Sequence, residues 1–225
     1  MDNLQIIARI KTDFPTKFGI PRQSGLVEQL QAKIIMENPY RNPEAFRGLS
    51  DFSHIWLIWG FSEAKKDNWS ATVRPPRLGG NVRMGVFATR SPYRPNPLGL
   101  SAVRLISVDM DPQLGPVLTV AGADLMDGTP IYDIKPYLPL SDCRTDAVGG
   151  FAERTKGERL QVNFPEALAA RVPADRLEGL IAALADDPRP AYQNDPEREY
   201  GFPFAHLEIK FKVQDGVLTV TDVLG

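Results

Sequence analysis

Arg90 and Arg94 lie four residues apart in the stretch GVFATRSPYRPNPLGLS, residues 85–101, among Pro92, Pro95 and Pro97. On a helix that spacing would put both guanidiniums on one face, but the prolines forbid the helix. Each residue before a proline is also pushed extended. The stretch therefore reads as a stiff loop projecting two guanidiniums, with the Asn96 amide between prolines and Gly99 letting the chain re-enter a strand closely. A stiff loop loses little entropy on binding, so the chemistry on offer is preorganised recognition of an anion or other ligand. The plain alternative is a proline-stiffened corner with solvated arginines.

Three other segments carry related chemistry. VRPPRLGG, residues 73–80, places Arg74 and Arg77 around Pro75 and Pro76. Two arginine–proline loops flanking one strand are expected to converge at one end of a barrel. FGIPRQSG, residues 18–25, offers Arg22, Gln23, Ser24 and Gly25; Gln23 suits an amide or base edge, or simply completes a polar turn. DLMDGTPIYDIKPYLP, residues 124–139, clusters Asp124, Asp127 and Asp133 with Tyr132, Lys135 and Tyr137. Within it, Asp127-Gly128-Thr129-Pro130 is a tight turn with a carboxylate at its start. His54 lies in an apolar run and reads as a core or supporting residue, and the lone Cys143 has no histidine near it in sequence.

Charge is distributed unevenly. Residues 1–100 carry 14 Lys and Arg against 8 Asp and Glu, whereas residues 101–225 carry 12 against 20. From Asn68 to Val108 there is no acidic residue and no lysine, yet Arg74, Arg77, Arg83, Arg90, Arg94 and Arg104 all fall there. An arginine-only field suits planar recognition of phosphate or carboxylate. Some of these side chains are expected instead to lie over aromatic surface or pair with the acidic second half.

The elements that must position these residues are mostly strands. Strands are expected at Leu4–Lys11, Phe52–Phe61, Met84–Thr89, Leu98–Val108 and Val117–Leu125. A short helical turn is expected at 42–48, capped by Asn42, opened by Pro43 and stopped by Gly48. The fold class is therefore mainly β: a barrel-like unit over residues 1–142, then a small α+β unit over 143–225. The second unit shows two helical patterns broken at Pro173, with Asp175 and Glu178 spaced as a capping box. Leu177, Leu180, Ile181 and Leu184 make one apolar face. The chain closes with a hairpin turning at Asp215-Gly216.

Several functions are set aside. The P-loop, the glycine-rich dinucleotide fingerprint and the nucleophile elbow are all missing. Two histidines and one cysteine are too few for a histidine- or thiolate-rich zinc site; carboxylates are the only metal ligands left open, and no metal is assigned. One cysteine allows no intramolecular disulfide, so a reducing cytoplasmic setting is expected. The N-terminus does not read as a secretory signal, no run approaches membrane-spanning length, and no membrane partner is expected.

The segments PRQSGL, FSHIW, TVRPPRLGG, GVFATRSPYRPNPLGLS and DGTPIYDIKPYLP, in this order, resemble the TrmO (TsaA-like) family. DPRPAY, residues 187–192, resembles the extra C-terminal domain of its bacterial members. The resemblance implies an S-adenosylmethionine-dependent tRNA methyltransferase built on a β-barrel. It implies methylation at N6 of threonylcarbamoyladenosine, beside the anticodon of threonine-type tRNA, by a homodimer whose cofactor site draws on both subunits. Carried over motif by motif, it places cofactor contacts on Gln23, Ser24, Gly25, Arg90, Leu100, Asp127, Gly128, Thr129 and Pro130. The pair after the Phe52–Phe61 run, commonly histidine first, is here Ser62-Glu63.

On this resemblance Arg90 would pair with the methionine carboxylate, and Arg74, Arg77 and Arg94 would face tRNA phosphates or the threonine carboxylate. Tyr93 would stack on a splayed base. Asp127 or Asp133 is the catalytic candidate, with Asp127 favoured for cofactor binding and the base left open. The rival from another class is a non-catalytic RNA-binding dimeric barrel module. A purely structural dimerisation barrel, with arginines paired to a partner's acidic half, is the third.

Overall fold

The computed structural model describes residues 4–63, 69–75, 78–154, 159–189 and 195–225. Among the described residues, eight strands precede the helical region: β1 (Ala8–Lys11), β2 (Gln31–Met36), β3 (His54–Gly60), β4 (Thr72–Val73), β5 (Met84–Gly85), β6 (Leu98–Asp111), β7 (Gly115–Ala121) and β8 (Pro130–Pro136). Six of them close an antiparallel barrel in the order β1-β2-β7-β6-β3-β8. β4 and β5 form a separate two-stranded arm.

Alternation explains the barrel. In β3, Ile55, Leu57 and Trp59 point inward and are buried, while His54, Trp56 and Ile58 are half-buried. The inside of a six-stranded barrel is filled by side chains, and Ile10, Ile34, Ile55, Leu57, Leu118 and Ile131 fill this one. Outside, Trp56 packs on Tyr137 with ring centroids 5.4 Å apart and donates its indole N–H to Asp142 at 2.8 Å. His54 stands on this outer side, its ring within 2.9 Å of the Ser53 hydroxyl.

The 42–48 turn forms as expected. Pro43–Phe46 is a 3-10 turn whose Asn42 side chain accepts from the Glu44 N–H, and Gly48 follows in the left-handed region. The strand expected over Met84–Thr89 is corrected. Only Met84 and Gly85 pair, and Val86–Ala88 curls into a 3-10 turn. Thr89 closes that turn, with both its N–H and its hydroxyl donating to the Val86 carbonyl. A side chain able to bond its own backbone competes here with the ladder.

The remainder holds α1 (Pro139–Asp142), α2 (Phe151–Arg154), β9 (Gln161–Asn163), α3 (Glu166–Ala169), α4 (Ala174–Ala185), β10 (Tyr200–Phe204), β11 (Leu207–Gln214) and β12 (Val217–Leu224). Its four strands form one sheet, β10-β11-β12-β9, with β9 parallel to β12. Leu180 and Leu184 of α4 are fully buried, with Leu177 packed beside them. Asp175 is not the cap of α4: Pro173 holds that position, and Asp175 sits in the first turn. Proline ahead of a helix supplies no side-chain oxygen, so an acidic first turn facing the helix dipole takes over part of that role. The hydrophobic cluster of this sheet also draws in Phe14, Val27 and Leu30 from the first half of the chain. Among the described residues no helix is long and apolar enough to cross a membrane.

Candidate active site

Strand register brings the marked motifs to one end of the barrel. β3 finishes at Gly60 opposite Leu98, where β6 begins; β7 finishes at Ala121 and β8 begins at Pro130. The 18–25 loop joins them there, because the Gly25 N–H donates to the Gly122 carbonyl at 2.9 Å. The two glycines touch closely. A Cβ on Gly122 would lie 3.2 Å from the Gly25 Cα, and Gly122 has φ +75°.

Asp124 holds this end together. Its carboxylate accepts the Ser101 hydroxyl at 2.6 Å, and the Ser101 oxygen accepts the Trp59 indole N–H at 2.9 Å. The Ser24 N–H also donates to Asp124. One carboxylate thus joins the 18–25 loop, the start of β6 and its own loop before β8. Burial pushes its pKa up, while the Ser101 hydroxyl, its own and the Ser24 N–H, and the nearby Arg90 guanidinium pull it down. Gly99 makes the chain of donors possible: a Cβ there would lie 2.2 Å from the Trp59 ring. That close approach is the physical content of NPLGLS.

Arg90 is exposed, and its Nη1 donates to the Gln23 side-chain oxygen at 2.5 Å. Gln23 donates in turn to the Arg22 carbonyl at 2.6 Å. The Arg22 guanidinium donates to the carbonyls of Asp187 and Arg189, both at 3.0 Å. Arg189 then forks the Asp187 carboxylate with two bonds of 2.9 Å. The first half of the DPRPAY motif is therefore a stitch between the C-terminal sheet domain and the 18–25 loop. Pro190, Ala191 and Tyr192 lie outside the described residues.

The DGTP turn docks on the end of β1. Asp127 pairs with Lys11 at 3.3 Å and accepts the Thr12 N–H at 3.1 Å, and the Gly128 N–H donates to the Ile10 carbonyl at 2.8 Å. Thr129 and Pro130 are buried, and the Thr129 hydroxyl donates to the Met126 carbonyl. Among the described residues no ion pair links Arg90 to Asp127; Asp124 connects their segments instead.

A cavity of about 1640 Å³ opens between the barrel and the C-terminal domain, and Gln23, Arg74, Arg90 and Tyr93 all line it. Arg94 does not face outward freely, because its Nη1 donates to the Thr89 carbonyl at 3.2 Å. Arg77 lies outside the described residues. Leu100 is exposed on β6, and Ser62 and Glu63 are exposed just beyond Phe61, whose N–H donates to the Pro97 carbonyl at 3.0 Å. Asp133 stands apart: it pairs with Lys135 at 2.8 Å and lines a second cavity of about 730 Å³ with Tyr40 and Phe46.

Asp124 carries more of this geometry than its place among three aspartates suggests. A signal for its partner was present. Ser101 occupies an inward position of β6 in step with Val103 and Leu105, and a fully buried hydroxyl on a core face needs a partner.

The family model for the tRNA-methyltransferase O N-terminal domain matches residues 9–143, and that for the TrmO C-terminal domain matches residues 157–225. The chain belongs to the TrmO family. It is 39% identical over 218 residues to the tRNA (adenine(37)-N6)-methyltransferase of Escherichia coli K12, covering 93% of this chain and 92% of that protein. It is 38% identical over 227 residues to a putative S-adenosylmethionine-dependent methyltransferase, RcsF, of Pseudomonas aeruginosa, covering 97% and 96%. A crystal structure of TrmO from Pseudomonas aeruginosa superposes with a TM-score of 0.81 at 32% identity over the whole of both chains. The TrmO fold thus accounts for both the closed barrel and the C-terminal sheet.

Proposed function

We propose that this chain transfers a methyl group from S-adenosylmethionine to N6 of threonylcarbamoyladenosine 37, beside the anticodon of threonine-type tRNA. Membership of the TrmO family makes it an S-adenosylmethionine-dependent tRNA methyltransferase. The observation that carries the site is the junction of Arg90, Gln23 and Asp124 at one barrel end, beside a cavity large enough for cofactor and nucleobase.

The residues at this end fit the cofactor. Arg90, aligned by Gln23, suits its carboxylate. Ser24 and Gly25 are fixed through Asp124 and Gly122 and offer main chain for close contact. Asp127 is a positioned carboxylate suited to ribose hydroxyls, and Gly128 to Pro130 offer main chain beside it. Leu100 supplies an exposed apolar contact, and Ser62 and Glu63 supply polar ones from the neighbouring loop. The cofactor supplies an electrophilic methyl group, so the protein's work is alignment and desolvation.

The acceptor nitrogen is conjugated to a carbonyl and a purine, so its proton must leave as the new bond forms. Asp133 faces the other cavity, which leaves Asp127, Asp124 and Glu63 as the carboxylates at the reacting end. Arg74 and Arg77, with Arg94 through the guanidinium nitrogens other than the Nη1 held by Thr89, serve tRNA phosphates or the threonine carboxylate, and Tyr93 a splayed base. The functional unit is a homodimer acting in the cytoplasm, where its tRNA is. The chain divides near residues 142 and 143 into a barrel that does the chemistry and a C-terminal unit that stitches the cofactor loop in place.

The test is in vitro methylation followed by nucleoside mass spectrometry. Threonine-type tRNA with and without threonylcarbamoyl is incubated with protein and cofactor. A methyl group on threonylcarbamoyladenosine alone is expected. Equal methylation of plain adenosine would remove the substrate assignment, and no transfer to either would favour the non-catalytic RNA-binding reading.

A further inference from the structure

Two aromatic rings on the β4–β5 arm have no core to fill. Trp69 is 53% exposed and Phe87 is 72% exposed. Their centroids lie 6.2 Å apart with ring planes 28° from parallel. The backbone behind them is fixed. Thr72 pairs with Gly85 and Val73 with Met84, the Val86 N–H donates to the Ala71 carbonyl at 3.0 Å, and the Ser70 hydroxyl donates to the Thr72 carbonyl at 2.7 Å. Phe87 sits in the 3-10 turn whose Val86 is buried, so the turn points one side chain inward and the next outward. Aromatic rings held open to water on a rigid arm mark an interaction surface.

The charge around the rings narrows the occupant. Phe87 lines the large cavity together with Arg74, Arg90 and Tyr93. No acidic residue occurs from Asn68 to Val108, and Arg83 adds a further cation on the same arm. Flat apolar faces among guanidiniums match a ligand that is itself flat and anionic along its backbone: unpaired nucleotides. A second copy of the chain is the poorer match. A twofold interface centred on this patch would set arginine against arginine.

We infer that Trp69 and Phe87 form a stacking platform for an unpaired base of the RNA loop that presents the target adenosine. The inference rests on the proposed tRNA reaction and names a binding surface that the arginine loops alone do not supply. Stacking tolerates any base, because every base has a π face, so the platform holds the loop open without reading its sequence.

The test uses the full chain and a fluorescently labelled anticodon stem-loop RNA. Trp69→Ala and Phe87→Ala are each expected to weaken RNA binding about 5- to 150-fold. Trp69→Phe keeps a ring and is expected to stay within about threefold of wild type. Cofactor affinity and thermal stability are expected to hold in Trp69→Ala and Trp69→Phe, since Trp69 is not among the residues lining the cavity beside Arg90. RNA added to the wild-type protein should quench Trp69 fluorescence, and Trp69→Phe should lose that quench. With the methylation assay, KM for tRNA should rise in Trp69→Ala while kcat is kept.

Unchanged RNA affinity in both alanine variants overturns the platform. So does a change of mass by light scattering without a change in RNA affinity, since that assigns the patch to a second copy. Wild-type methylation with an unaltered KM in Trp69→Ala would sink the platform and leave the methyltransferase reading intact. Weakened RNA binding in a protein that transfers no methyl group would do the reverse.

Discussion

Two places on the barrel, its Asp124 end and the middle of β8, are built from neighbouring strands and behave differently. At one end, half-buried Asp124 takes hydrogen bonds from Ser101 and Ser24, with Trp59 behind Ser101 and Arg90 nearby. Midway along β8, Asp133 pairs with Lys135 from the same strand and lines a separate cavity with Tyr40 and Phe46. Both aspartates belong to one sixteen-residue motif and are nine positions apart. What separates them is the company each keeps. One carboxylate ties together loops that are distant in sequence; the other makes an exposed pair, which contributes little. A carboxylate's role follows from the elements that meet around it more than from its place in a motif.

The comparison can be broken most severely at Gly99. Gly99→Ala places a methyl group where the Trp59 ring lies, so the indole must shift and release Ser101. Overpacking of this kind costs about 1–3 kcal/mol, which corresponds to a Tm lower by about 2–12 °C for a chain of this size. Loss of cofactor binding should accompany it, read by calorimetry. An unchanged Tm and affinity would mean that the Trp59–Ser101–Asp124 chain is not what holds this end.

Asp124→Asn is the next largest. The amide keeps the shape and loses a charged acceptor for the Ser24 and Ser101 donors, so cofactor affinity should fall at least about tenfold. Stability has its own signature. A carboxyl whose pKa is raised by folding contributes stability that is fully present below its ordinary value of about 3.9 and is lost as pH rises through the raised value. Thermal melts across that window should therefore show the wild type gaining on Asp124→Asn as pH falls. Asp13, also raised, chiefly by burial, is common to both proteins and drops out of the difference. A difference independent of pH would remove Asp124 as the titrating group.

Asp133→Asn is the control at mid-strand, outside the Asp124 junction, and the smallest effect. Cofactor affinity should stay within about twofold and Tm within about 2 °C. A loss matching that of Asp124→Asn would erase the distinction between the two aspartates.

Much of this frame was legible in the residues. The Phe52–Phe61 run became β3, the Leu98–Val108 run became most of β6, and Asp215-Gly216 turned the last hairpin. Those features are local: alternation, turn chemistry and prolines act within a few residues. The Met84–Thr89 strand failed because pairing needs a partner, and β4 offers only two residues before Thr89 bonds back on Val86. Arg74 and Arg90 came to line one cavity, though Arg74 follows the separate β4–β5 arm and not a barrel strand, and Gln23 met Arg90 across 67 positions. The joining of Trp59, Ser101, Ser24 and Asp124 was not legible, because it depends on three-dimensional register. Nor was the recruitment of Phe14, Val27 and Leu30 into the C-terminal cluster, since an apolar residue near a strand does not declare which core it will enter.

The central claim is that the arginine-bearing loop at the Asp124 end grips the methyl donor. Calorimetric titration of S-adenosylmethionine into Arg90→Ala tests it most directly. Arg90 is exposed and its removal should leave the fold intact, so the expected result is an affinity at least about tenfold weaker at an unchanged Tm. Wild-type affinity in the folded variant would contradict the account.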